Sequence, residues 1–79
     1  MNDQASSFAD QFDLKEGLIA GKHRVASEFE RKYILFALGF FDGNVTRAAR
    51  AAEMDRSNFH RLMRKHGVES EGFRADGEP

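Results

Sequence analysis

The run YILFALGFF at residues 33–41 is apolar almost all round. A helix of that kind has to be covered on more than one side. In a chain of 79 residues this is a severe demand. A single core of such size is marginal without a disulfide, a metal or a second subunit. The chain contains no cysteine, which excludes disulfides and thiolate metal sites. Oligomerisation is left as the expected support, and one small domain is all the length allows.

The run continues a pattern that begins upstream. Val25, Phe29, Tyr33, Ala37 and Phe41 recur every four residues, and Ile34 and Leu38 widen the stripe. A strand at 33–41 fits poorly, because the period starts in the charged stretch EFERKY, which shows no alternation. The excess apolar surface reads as a homodimer seam carried by Val25, Phe29, Tyr33, Ile34 and Leu38; a purely intramolecular core is the plainer alternative. Asp13 and Glu16 in DLKE form a possible capping box that would start a helix at Leu14. Gly17 and Gly21 weaken that start, each by about 1 kcal/mol relative to alanine. Ser27 and Glu30 offer a second start, so 14–41 reads as either one bent helix or two. Residues 1–13 have isolated phenylalanines and no period, and read as a flexible lead-in.

Two short helices are expected next. Asn44 is placed to cap the first, over 45–52, after a loop in which Gly43 can take a positive φ. Val45, Ala48, Ala49 and Ala52 give that helix a narrow face for close packing. Asp55 caps the second, over 56–66, with Phe59, Leu62, Met63 and His66 inward, and Gly67 stops it. Met54 can plug the angle between the two. The tail, 69–79, is acidic, glycine-containing and aperiodic, and reads as disordered.

The charge distribution points to what the last two helices do. Formal net charge is only −1, but residues 44–67 carry six arginine and lysine side chains against Glu53 and Asp55, a net +4. The two ends of the chain are acidic. That is the pattern of a local anion-binding surface. Two short amphipathic helices joined by a three-residue turn make a helix-turn-helix candidate. The outward edge of the second helix holds Arg56, Ser57, His60 and Arg61, with Asn58 near its start. These side-chain types match base edges in a major groove: arginine to guanine, asparagine to adenine, serine to either. Thr46, Arg47, Arg50, Arg64 and Lys65 are the expected phosphate contacts, together with the helix N-terminus.

The segments FERKYILFAL and GNVTRAARAAEMDRSNFHRLMRKHGV resemble the Fis-type helix-turn-helix domain. That domain closes the sigma-54-dependent transcriptional activators of the NtrC kind, and a related version is the free-standing Fis protein. The resemblance covers roughly 27–68 and rests on the asparagine before the first short helix, on TRAA, on RSN and on the closing HG. It implies an all-α homodimer with a shared four-helix core, made through the long helix or helix pair, that binds an inverted-repeat site. It implies base contacts from Arg56, Ser57, Asn58, His60 and Arg61 and backbone contacts from Thr46 and Arg47. Receiver and ATPase domains of a longer parent chain are implied as possible companions. Glu53 stands where the family usually has a glycine, in a turn that needs a left-handed or otherwise strained backbone, at a cost of about 1–2 kcal/mol. Asp55 replaces the usual serine cap, and His60 replaces a frequent tyrosine or arginine.

Plainer interpretations stand beside these. The arginine edge can be a solvated face, and the apolar run can anchor a partner protein, which makes the chain a protein–protein interaction module. His60 and His66 are six apart and do not share a helix face, so no metal site or other cofactor is expected. No nucleophile has a nearby base and no phosphate-cradling loop exists, so an enzyme is not expected. The 33–41 run is too short to span a bilayer, and MNDQASSFADQFD lacks the basic start and apolar segment of a secretory signal. A cytoplasmic location is the default.

Overall fold

A computed structural model describes Asp10 and residues 12–74. The described residues are all-α and contain no strand. Helix α1 spans Leu18–Phe40, α2 spans Val45–Ala51 and α3 spans Arg56–Lys65. A short 3-10 turn follows at Ser70–Phe73. Most of the expected lead-in, and residues 75–79 of the tail, lie outside the described residues.

The long helix is single and unbroken, which settles the choice between one helix and two. It begins at Leu18 with Gly17 as an N-cap that makes no side-chain bond, not at Leu14. The Asp13–Glu16 pair does not cap it. Asp13 instead accepts from the Lys15 backbone N–H at 2.9 Å and closes a local turn. Glu16 turns back to Arg24, whose Nε and Nη2 both donate to it at 3.0–3.1 Å. An asparagine or aspartate folds its own backbone into such turns readily, in competition with a helix start. At Ser27 and Glu30 the helix simply runs on.

All three helices end in the same way. The chain passes through a left-handed residue, and the next N–H reaches back to the last turn: Gly43 to the Leu38 carbonyl at 2.8 Å, Met54 to Ala49 at 2.9 Å, Val68 to Met63 at 2.8 Å. This is the Schellman arrangement, which satisfies carbonyls that a helix end leaves without partners. The left-handed residues are Asp42, Glu53 and Gly67, at φ 54°, 59° and 66°. Glycine takes that conformation without strain. Glu53 therefore carries the backbone cost expected of it from the sequence, and Asp42 carries a similar one that the sequence did not announce. The starts of α2 and α3 are as expected. Asn44 accepts from the Arg47 N–H at 3.0 Å, and Asp55 accepts from the Asn58 N–H at 2.8 Å.

The core is small and drawn from all three helices: Ile34, Ala37 and Leu38, then Val45, Ala48 and Ala49, then Phe59 and Met63. Phe59, the largest fully buried side chain, is wholly inaccessible. Full burial of such a side chain contributes about 1.5–3 kcal/mol. The alanines of α2 let it approach α1 and α3 closely, and Met54 packs against the core from the intervening turn. The Tyr33 hydroxyl donates to the Ala51 carbonyl at 3.2 Å, tying α1 to the end of α2.

Two expectations need correction. Ile34 and Leu38, expected at a dimer seam, are spent inside this chain, at 2% and 0% exposure. Helical geometry explains it. Each step of four residues overshoots a turn by about 40°, so the row Val25, Phe29, Tyr33, Ala37, Phe41 winds around α1 by about 160° from its first member to its last. It starts on the face away from the core and ends on the core. The uncovered stripe is a different one: Leu18, Val25, Phe29, Phe36 and Phe40, all exposed. The second correction concerns the tail. Residues 70–73 are folded, and Phe73 is half-buried against the core.

Candidate nucleic-acid interface

Helix α3 has one flank buried and the other open. Phe59 and Met63 are sealed in the core, and Leu62 packs at its edge. On the other flank Arg56, Ser57, Asn58, Arg61 and Arg64 are exposed, and His60 is half-buried. The apolar clamp therefore fixes the orientation of the polar edge. Thr46, Arg47 and Arg50 are exposed along α2.

The polar edge is organised by a line of hydrogen bonds that starts at the cap. The Asp55 carboxylate accepts from the Ser57 hydroxyl at 3.2 Å, from the Asn58 backbone at 2.8 Å and from the Asn58 amide at 3.0 Å. The Asn58 carbonyl oxygen in turn accepts from Arg61 Nη2 at 2.8 Å. One helical turn on, Arg64 Nη1 lies 2.9 Å from His60 Nδ1. Arginine can only donate, so in this contact the His60 nitrogen is the acceptor. Two arginines are thus held against the helix with donors left over, since a guanidinium has five.

This arrangement shifts two sequence-based roles. Asn58 has both ends of its amide engaged within the chain, so a paired contact to an adenine requires those bonds to open first. In the free protein it is a strut that orients Arg61. The Asp55 carboxylate already fills the N-terminus of α3. A phosphate arriving there meets like charge, which removes the attraction that helix ends otherwise offer anions.

Lys65, another expected phosphate contact, is tied to α1. Its Nζ donates to Glu30 Oε1 of α1 at 3.1 Å, and His66 Nε2 donates to the same oxygen at 2.8 Å. The His66 side chain is 7% exposed. The two donors hold the Glu30 carboxyl below its ordinary pKa, the His66 hydrogen bond contributing most and the Lys65 bond next. The end of α3 is thereby fastened to α1. His66 faces inward as expected and also stands at the C-cap of α3, and Lys65 is part of the frame as well as of the basic surface.

The structure therefore gathers Arg56, Ser57, Asn58, His60, Arg61 and Arg64 on one edge, with Thr46, Arg47 and Arg50 on the neighbouring helix. Glu30 as the fastening of α3 was missed; no local signal marks a carboxylate that meets partners 35 and 36 residues away. Phe36 and Phe40 were missed as exposed residues. Their 11-residue spacing from Val25 and Phe29 would have revealed them, since 11 residues make three nearly complete turns and keep a stripe straight. Among the described residues, no helix is long and apolar enough to cross a membrane, and no group of three or more metal-ligating side chains is present. No family model matches the chain, and no curated protein or solved structure does so either.

Proposed function

We propose that this chain is a sequence-specific double-stranded-DNA-binding module of a bacterial, cytoplasmic transcription regulator, of the Fis/NtrC type that its last two helices resemble. In this reading α2 and α3 form a helix-turn-helix, α3 enters a major groove, and Arg56, Ser57, His60 and Arg61 address base edges. Thr46, Arg47, Arg50 and Arg64 address phosphates. The observation that carries the reading is the split of α3: two fully buried apolar side chains lock one flank, and a pre-ordered cationic edge stands on the other. A charged helix face that only needs solvation has no use for a line of bonds running from Asp55 through Asn58 to Arg61. A homodimer formed across the uncovered stripe of α1 completes the reading, with paired modules on an inverted repeat.

The same stripe favours a second reading. Leu18, Val25, Phe29, Phe36 and Phe40 could seat a partner protein, with the basic helix merely solvated. Duplex-DNA binding followed across salt separates the two. A DNA binder loses affinity steeply and linearly on a log–log plot, with a slope of about −0.9 for each phosphate neutralised. Absence of binding at low salt would leave the interaction module standing. Within the first reading, Arg61→Ala should cost about 1–3 kcal/mol on a preferred site and relax one base preference. An equal loss on all sequences would reassign Arg61 to phosphate.

A further inference from the structure

We infer that Arg74, delivered by the folded C-terminal turn, is an additional contact to the DNA backbone beside Arg56 and Thr46. The inference rests on the DNA-binding reading above and extends its surface to a segment whose composition argues against it. Residues 68–79 carry Arg74 against four acidic side chains.

The turn is seated, not loose. Phe73 joins the rim of the core, and its ring lies where Gly39 leaves α1 bare: a Cβ at Gly39 would stand 3.9 Å from Phe73 Cδ1. At Gly43 the approach is closer. A Cβ there would fall 2.6 Å from the Ser70 carbonyl oxygen and 2.9 Å from Arg74 Cγ, and the residue sits at φ +81°. Only glycine admits both the conformation and the contact. The Arg74 N–H closes the turn on the Glu71 carbonyl at 3.4 Å.

This seating brings Arg74 to a polar hollow of about 430 Å³ that it shares with Asn44, Thr46, Arg56 and Ser70. Arg56 opens α3, so the hollow is continuous with the cationic edge. Neither guanidinium forms a salt bridge among the described residues. Among the described residues Asp42 is the one acid lining the hollow, and Glu71 lies within the turn. Two guanidiniums and a hydroxyl at an exposed hollow, with no buried polar group, suit a phosphate carried on a long polymer better than a small free anion. The nearest such phosphate belongs to the duplex that α3 reads.

The test compares the full chain with Arg74→Ala, Phe73→Ala and Lys32→Ala on a random-sequence duplex, with binding followed from 50 to 200 mM salt. Arg74→Ala should lower the salt slope by about one, so that the affinity gap from the parent narrows roughly three-fold over that range. Phe73→Ala removes no charge but unseats the turn, and should lower the slope similarly with helical content retained. Lys32→Ala removes one charge on α1 and should leave the parent slope. If the parent binds with a steep slope and Arg74→Ala matches it, the Arg74 contact is wrong and the DNA reading survives. Equal slope losses for Arg74→Ala and Lys32→Ala would reduce the effect to net charge and overturn the contact. A parent slope in Phe73→Ala would overturn the seating. A parent that binds no duplex at any salt would sink the DNA reading and this inference with it.

Discussion

The two faces of α1 are built from the same residue types and meet opposite fates. One face places Ile34, Ala37 and Leu38 under α2 and α3, where almost nothing of them is exposed. The other carries Leu18, Val25, Phe29, Phe36 and Phe40, which are between 42% and 78% exposed. Phe36 pairs with Phe40 and Phe40 with Phe41, with ring centroids 6.1 Å and 4.9 Å apart. The first face is complete within one chain. The second is an uncovered apolar face, and side chains left in water gain nothing from burial.

The contrast is open to direct attack. Leu38→Ala should have the largest effect, a loss of about 2–5 kcal/mol in unfolding free energy. That loss should be the same at every protein concentration, and denaturant melts of a dilution series would check it. Phe29→Glu works on the other face. It should abolish the concentration dependence of sedimentation and of melting while leaving the dilute chain about as stable as the parent. A parent that sediments as a monomer at high concentration would end the assignment of this face to a dimer.

Glu53→Gly touches neither face and should stabilise the chain by about 1 kcal/mol, by relieving left-handed strain in the turn after α2. A loss of stability would mean that the Glu53 side chain makes a compensating contact. The smallest effect belongs to Glu30→Gln. Because the Glu30 pKa is lowered in the folded chain, its contribution is present above the ordinary carboxylate range and is lost as pH falls through that lowered value. The substitution should therefore cost stability near neutrality and flatten the acid limb of a stability–pH curve. An unchanged acid limb would show that Lys65 and His66 do not hold that carboxylate in solution.

Much of this could be read from residues alone, and the reason is locality. Asn44 and Asp55 cap their helices through bonds to residues three positions on. Glu53 takes its left-handed place for reasons contained within the preceding turn. Phe59 and Met63 face inward because their spacing leaves α3 one apolar flank. The same logic failed at Asp13 and Glu16, where the capping pattern was present but a tighter local turn and the Arg24 partner won. It fails again along α1, where an every-fourth-residue row reads as one stripe although it winds across two faces.

Composition and spacing were enough to place the two short helices, their caps and the split character of α3, because each depends on contacts within about one helical turn. They could not decide which apolar side of α1 the short helices would claim, since isoleucine, leucine and phenylalanine gain alike from burial on either. That choice follows from where the loop at 41–44 and the glycine at 43 allow α2 and the C-terminal turn to come down. Packing across the chain, through Phe59 from one direction and Phe73 from another, turned one side of a uniformly apolar helix into core and left the other bare.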